Sequence, residues 1–148
     1  MADDDERQRA LDRSIRALAR RDHSAATLRA KLDRAGISLP VQTDAVETLE
    51  RIGYVDDERF ARDRAGQLAD RGYGDDWIRA DLETQGVARE LVESAVEALE
   101  PEPDRAVRES AKAGGGVRSI RTLVRRGFSE ETVEMLLDRV VATEPTGE

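Results

Sequence analysis

Apolar residues recur at helical spacing from the first part of the chain onward. Leu11, Ile15 and Leu18 follow one another at i, i+4 and i+7, a spacing typical of one face of an α-helix. The pattern predicts a helix over about residues 7–21. A second helix is predicted within residues 24–36, because the serine at its start can accept N–H hydrogen bonds and the glycine at its end tolerates positive φ.

A third predicted helix closes the first group. Ser38 and Pro40 mark its beginning, because proline fits the first turn of a helix, and Gly53 marks its end. Its apolar residues fall on one side, which we expect to be buried: Ala45, Val46, Leu49 and Ile52.

The layout of these three helices recurs without gaps when Gly36, Gly86 and Gly127 are superposed. In each copy a leucine stands four residues before the glycine, and apolar residues stand one, ten and thirteen residues after it. We therefore predict that these positions form the core: Leu32, Leu82 and Leu123; Ile37, Val87 and Phe128; Val46, Val96 and Leu137; Leu49, Leu99 and Val140.

The repeat predicts an all-α fold of three tandem three-helix units, about nine helices in all, stacked in an elongated, curved solenoid of right-handed or similar form. Each unit buries its apolar face on its neighbours. The predicted organisation is a disordered acidic tail over residues 1–6, units at 7–54, 55–100 and 101–142, and a loose C-terminus at 143–148.

The first and second units meet with almost no linker after Gly53. Asp56 can accept N–H hydrogen bonds at the start of the next helix, and Asp57 favours the positive end of the helix dipole. We interpret these acids as structural. Trp77, in the second helix of the middle unit, is interpreted as a large side chain packed between helices.

The third unit is predicted to begin with a short helix. Residues 100–104 form a stiff linker, because neither Pro101 nor Pro103 can sit inside a helix, and Asp104 can cap the helix after it. Three glycines at 114–116 then end this first helix early.

Composition excludes several classes of function. The 148 residues include no Cys and one His, which rules out zinc fingers, thiol catalysis and sites of several imidazoles. No Gly-rich phosphate loop or catalytic constellation is present, and His23 before a helix start is interpreted as an exposed turn residue. We expect no enzymatic activity, cofactor or metal. An acidic N-terminus and the lack of a long apolar run predict a soluble cytoplasmic protein.

The net charge of −8 is unevenly distributed, because residues 55–100 contain thirteen acidic and six basic side chains. Two groups of arginines stand apart from the acids. One lies on the first helix, opposite its apolar face, and the other lies in the third unit, in a window without acids. Such groups fit either a solvated face or a contact with phosphates or with an acidic protein surface. The candidate partner-binding residues are Arg9, Arg13, Arg16 and Arg20, with Arg118, Arg121, Arg125 and Arg126.

Several segments, in their order and spacing, resemble the RecX family of RecA-regulating proteins. They are Arg20 to Ser24, Gly53 to Ala61, Arg71 to Gly74 and Arg125 to Ser129, and the residues that carry the family motif are Asp56, Asp57, Arg59, Phe60, Arg71, Gly72 and Tyr73. The resemblance implies three tandem three-helix units, no enzymatic activity, and binding in the groove of a RecA filament on DNA. There such a protein lowers ATP hydrolysis, strand exchange and co-protease activity, and so modulates recombination, DNA repair and the SOS response.

Three interpretations fit the arginine groups. The first is a modulator of the RecA filament that acts as a monomer and binds naked DNA weakly. The second is a sequence-indifferent DNA-binding helical protein acting on its own. The third is a helical-repeat adaptor that holds an acidic peptide.

Overall fold

The computed structural model describes residues 2–143, which consist of helices and short connections without a strand. Within that range the chain forms nine helices, so the predicted all-α helical-repeat fold is confirmed. The helices are α1 (Ala2–Arg20), α2 (Ala25–Arg34), α3 (Leu39–Arg51), α4 (Asp57–Asp70), α5 (Asp75–Thr84), α6 (Arg89–Glu97), α7 (Glu102–Lys112), α8 (Gly116–Arg125) and α9 (Glu130–Thr143).

The helices pack in three groups of three, each around its own cluster of buried side chains. Helices α1–α3, α4–α6 and α7–α9 make most of their contacts within their own group, and we call these groups units one, two and three. The leucine four residues before each repeat glycine is fully buried in its unit, as predicted: Leu32, Leu82 and Leu123.

Two predicted boundaries are wrong. Helix α1 begins at Ala2, so residues 2–6 are helical rather than a disordered tail, and the side chain of Glu6 accepts a hydrogen bond from Ser38 N at 2.6 Å. Helix α7 begins at Glu102, so Pro103 lies in its first turn and Asp104 is not its cap. Proline is tolerated there because the first N–H groups of a helix have no partner within the helix. Met1 and residues 144–148 lie outside the described range.

The buried face of α1 also differs from the prediction. Ala10, Ser14 and Ala17 are buried, whereas Ile15 is 47% exposed. At 3.6 residues per turn this buried face lies roughly 100° around the helix from the face of Leu11, Ile15 and Leu18 that the sequence pattern predicted to be buried. Small side chains allow close approach of α2 and α3, and the Ser14 hydroxyl donates to Ala10 O at 2.7 Å. Packing against these neighbours therefore decided the orientation of the helix.

Two other predicted core residues, Ile52 and Leu137, are 58% and 37% exposed. Ile52 is the C-cap residue that follows α3, and beyond it the chain turns so that Val55 is buried in the same cluster as Leu49. Leu137 lies on α9, whose buried residues are Thr132 and Leu136. Helix α9 has no following unit within the described residues, so its outer side has no helix to cover it.

The three repeat glycines have nearly the same backbone conformation but different surroundings. Gly36, Gly86 and Gly127 have φ of 80°, 78° and 77°. A methyl group on Gly36 would meet no atom within 4 Å, on Gly86 it would overlap the Ala26 side chain, and on Gly127 it would lie 2.7 Å from the backbone N of Trp77. The second and third glycines thus allow the preceding unit to pack closely.

Alanine at these three glycines should destabilise the protein to different degrees. Gly36→Ala should lower the free energy of unfolding by the left-handed strain alone, ~1–2 kcal/mol. Gly127→Ala should cost a further ~1–3 kcal/mol, because its new Cβ meets backbone that cannot rotate away. Urea denaturation monitored by circular dichroism measures both losses.

Gly86→Ala should lower the free energy of unfolding by an intermediate amount, because its new Cβ would meet only the Ala26 methyl group. Ala26→Gly in the same chain should recover the packing part of the loss and leave the strain part. Equal losses at all three glycines would show that the contacts between units contribute nothing at these positions.

Candidate functional site

The family-motif residues of the first junction hold the chain between units one and two. The Asp56 side chain caps α4 by accepting from Arg59 N at 3.1 Å. The Arg59 guanidinium donates to the carbonyl oxygens of Gly53 at 3.1 Å and Tyr54 at 3.4 Å. Phe60 is buried in the core of unit two. These residues therefore fix the loop, as the structural interpretation of the acids predicted for Asp56.

A carboxylate at the start of a first helix links each unit to the one before it. Asp57, the first residue of α4, accepts from Ala25 N at 2.8 Å, and Ala25 is the first residue of α2. Glu102, the first residue of α7, accepts from Asp75 N at 2.6 Å, and Asp75 is the first residue of α5. The same contact thus recurs at both junctions and satisfies N–H groups that a helix start leaves unpaired.

Glu102 also joins unit three internally. Its Oε1 accepts from the hydroxyl groups of Ser129 at 2.5 Å and Thr132 at 2.6 Å, at the start of α9. Burial by itself would raise the pKa of this carboxyl, but the hydrogen bonds from Ser129, Thr132 and Asp75 outweigh it and lower the pKa. The carboxylate is therefore held in its charged form at the centre of the junction.

Asp75 lies beside Glu102 and shows the opposite shift. Burial and the charge of Glu102 raise its pKa, while Arg105 opposes the rise. The Arg105 guanidinium, 3% exposed, donates to Asp75 Oδ1 at 2.6 and 2.7 Å. This buried arginine pairs with Asp75, so the two side chains form a structural ion pair at the junction.

The second motif segment lies at the junction of units two and three. Arg71 O accepts from the Arg126 guanidinium at 3.0 Å, and Gly72 has φ 93° and lies against Arg126 and Glu109. Tyr73 stacks on Trp77, with ring centroids 4.6 Å apart and planes inclined by 16°. Trp77 is nevertheless 43% exposed, so the prediction that it packs between helices is wrong for much of its surface.

The four arginines of the α1 stripe, Arg9, Arg13, Arg16 and Arg20, are exposed on one side of the helix. None of them forms an ion pair within 4.0 Å with a described residue. Arg7, on the same helix, instead pairs with Asp44 at 2.6 Å. The stripe therefore presents four positive charges to solvent.

The second group of arginines, which we call the α8 stripe, consists of Arg118, Arg121, Arg125 and Arg126, and only three of them are exposed. Arg118, Arg121 and Arg125 lie on α8, and with Val124 they border an open hollow of about 550 Å³. Arg126 instead donates to Arg71 O and lies 3.7 Å from Glu109, so it takes part in the junction. The two stripes belong to helices that pack in different units, α1 against α2 and α3, and α8 against α7 and α9.

A second open hollow, which we call the Tyr54 hollow, lies beside the C-terminal half of α1. Its volume is about 590 Å³. Tyr54 and Ile15, which border it, are 56% and 47% exposed. Its apolar residues are Ile15, Leu18, Ala19 and Tyr54, and its charged residues are Arg20, Arg21, Asp22 and Arg59.

Similar proteins place this chain in a family. The family described as RecX, second three-helix domain, matches residues 56–96. The regulatory protein RecX of Stenotrophomonas maltophilia (strain R551-3) is 33% identical over 132 residues, which are 89% of this chain and 73% of that protein. This chain belongs to the RecX family. A further relative, the regulatory protein RecX of Shigella sonnei (strain Ss046), is 34% identical over 146 residues, with 85% of this chain and 88% of that protein covered.

A solved structure matches most of this RecX-family chain. The crystal structure of RecX from Lactobacillus salivarius superposes with a TM-score of 0.78, covering 93% of this chain and 98% of that chain at 13% identity. At that identity the likeness concerns the fold. Among the described residues of this RecX-family protein, no helix is long and apolar enough to cross a membrane.

The sequence did not predict the environment of His23 or the Tyr54 hollow. His23 is 3% exposed, rather than an exposed turn residue, because the start of α2 is covered by unit two. Its Nδ1 lies 3.3 Å from the Thr27 hydroxyl oxygen. The hollow exists because Ile15 faces outward. The helical spacing of the apolar residues of α1 predicts that all of them face the core, so it does not reveal this exposed position.

Glu102→Gln should destabilise the protein by about 1.5–3 kcal/mol, because an amide replaces a charged acceptor of several hydrogen bonds. Chemical denaturation at pH 7 measures the loss. Glu100→Gln is the matched control: Glu100 is two residues away, is exposed and pairs with Arg108 at 2.7 Å. The control should have the same free energy of unfolding as the parent. Equal losses in the two variants would show that Glu102 stabilises the junction no more than an exposed glutamate does.

His23 should make stability depend on pH near neutrality. Burial, with the positive charges of Arg21 and Lys31, lowers its pKa below the ordinary value of 6.5. The unfolded chain therefore binds a proton first, so this contribution is complete above pH 6.5 and is lost as the pH falls toward the folded pKa. The slope should reach at most about 1.36 kcal/mol per pH unit.

His23 is the only histidine of the chain, so the assignment can be tested directly. Denaturation of the parent and of His23→Gln between pH 7.5 and 5.5 should give a slope in the parent that the variant lacks. The same slope in both proteins would assign it to other groups.

Proposed function

We propose that this RecX-family protein is a negative regulator of RecA. It binds the RecA–DNA filament and inhibits its ATPase, strand-exchange and co-protease activities, and in this way modulates recombination, DNA repair and the SOS response. It acts in the cytoplasm as a monomeric binding protein, without catalysis of its own.

The observation that carries the proposal is the α1 stripe on a member of this family. Two pairs in the stripe, Arg9 with Arg13 and Arg16 with Arg20, are like charges at i, i+4. Each pair costs the free protein a few tenths of a kcal/mol, roughly 0.2–0.5. A partner that carries phosphates or carboxylates relieves this repulsion. The exposed arginines of α8 offer a second contact of the same kind.

The acidic middle unit favours a filament over bare DNA. Residues 55–100 carry thirteen acids and six basic residues, so a bare duplex repels this part of the protein. A filament supplies both phosphate and protein surface, so the two arginine stripes can make contact while the middle unit avoids the phosphates.

Reversal of the α1 stripe to glutamate at Arg9, Arg13, Arg16 and Arg20 should weaken inhibition of the RecA ATPase at least tenfold, which equals about 1.4 kcal/mol of binding. The melting temperature should change little, because these side chains are exposed and pair with no described residue. The inhibition constant is measured on filaments formed on single-stranded DNA.

The matched control reverses four exposed arginines spread over other helices and gives the same net charge: Arg34, Arg51, Arg89 and Arg139. It should inhibit within about twofold of the parent, since no stripe is removed. An equal loss of inhibition in both variants would show that net charge, and not the α1 stripe, determines inhibition. Failure of the parent to inhibit, together with tight, strongly salt-dependent binding to naked DNA, would favour a stand-alone DNA-binding protein.

A further inference from the structure

The Tyr54 hollow combines exposed apolar side chains with a positively charged rim. We infer that it receives a segment of the recombinase protein itself, in which a large apolar side chain is flanked by carboxylates. This inference rests on the proposed function and assigns the protein side of that contact to a surface that adjoins the α1 stripe and shares Arg20 with it.

The apolar part of the hollow is built on rigid backbone. Tyr54 N donates to Leu49 O at 2.9 Å, and Tyr54 O accepts from Arg59 at 3.4 Å, so the loop that carries the ring is held at both sides. Ile15 stands across from it on α1 and is 47% exposed. Single exposed apolar residues are ordinary on protein surfaces, but several that border one hollow mark an interaction site. Tyrosine presented on rigid backbone is also well suited to anchor an interface.

The charge of the rim selects carboxylates. Three arginines, Arg20, Arg21 and Arg59, border the hollow against one acid, Asp22, so the rim has a net positive charge. Arg59 also donates to Gly53 O and Tyr54 O, and Asp22 Oδ1 accepts from His23 N at 3.0 Å, which leaves Arg20 and Arg21 as the cations without such bonds. A cavity whose rim carries a net charge attracts the opposite sign. An acidic peptide segment can place its carboxylates on these arginines while its apolar side chain occupies the space between Ile15 and Tyr54.

A nucleic-acid backbone fits this surface less well. Phosphates along a strand would contact the arginines of the rim but would leave Ile15 and Tyr54 uncovered. The α1 stripe is a better surface for phosphates, because it offers four positive charges without apolar residues between them. Arg20 belongs to both the stripe and the rim. The two surfaces are therefore adjacent, and only variants of the apolar residues separate them.

Ile15→Glu should raise the concentration needed for half-inhibition of the RecA ATPase at least tenfold, because it places a negative charge where an apolar side chain binds between acids. Leu39→Glu is the matched control, since Leu39 is 69% exposed and lies at the opposite end of α3 from the hollow, roughly 18 Å along the helix. It carries the same change of charge in the same unit and should inhibit like the parent. Circular dichroism melts verify that both variants remain folded.

A photo-crosslinking variant supplies a readout that does not depend on stability. Tyr54→p-benzoylphenylalanine, irradiated with RecA filaments on labelled single-stranded DNA, should attach to RecA. The same substitution at Leu39 should attach to neither component.

The outcomes separate this inference from the proposed function. Inhibition by the parent with equal potency of Ile15→Glu and Leu39→Glu would overturn the hollow as a contact and leave the regulator intact, and attachment of the Tyr54 probe to DNA alone would do the same. Absence of inhibition by the parent would overturn both proposals.

Discussion

The arrangement of the units depends on carboxylates placed at the first residue of α4 and of α7. Asp57 and Glu102 each accept an N–H group from the start of the second helix in the preceding unit, Ala25 N and Asp75 N. Helix starts leave such donors unpaired, and a charged acceptor bonds them more strongly than a neutral one. The first helix of each later unit is thereby held in register with the second helix of the unit before it. The close approach at Gly86 and Gly127 requires that register.

This use of the acids changes how the family motif is understood. Asp56, Asp57 and Arg59 are committed to caps, loops and contacts between units, and Phe60 is committed to the core. A motif can therefore identify the family while contributing little to its binding surface directly. The loop that Arg59 holds also presents the Tyr54 ring to solvent.

Ion pairing divides the charges of the chain into two classes. In unit two and its junction several arginines pair with acids, as in Arg64 with Asp81, Arg79 with Glu93 and Arg105 with Asp75. On α1 the stripe has no such partner among the described residues, and on α8 the exposed arginines stand in a window without acids. The net charge of −8 conceals this division. The charges left over by intramolecular pairing are the ones available for a partner.

Local chemistry determined the helices, their glycine ends and the leucines of the core, because each depends on residues close in sequence. Leu32, Leu82 and Leu123 are buried as the repeat predicted. The division of other residues between core and surface was decided by tertiary packing. Ile15 faces outward because Ala10 and Ser14 fit more closely against α2 and α3, and His23 is buried because unit two covers the start of α2. The periodicity of a single helix specifies an apolar side, but only the neighbouring helices determine which part of that side they cover.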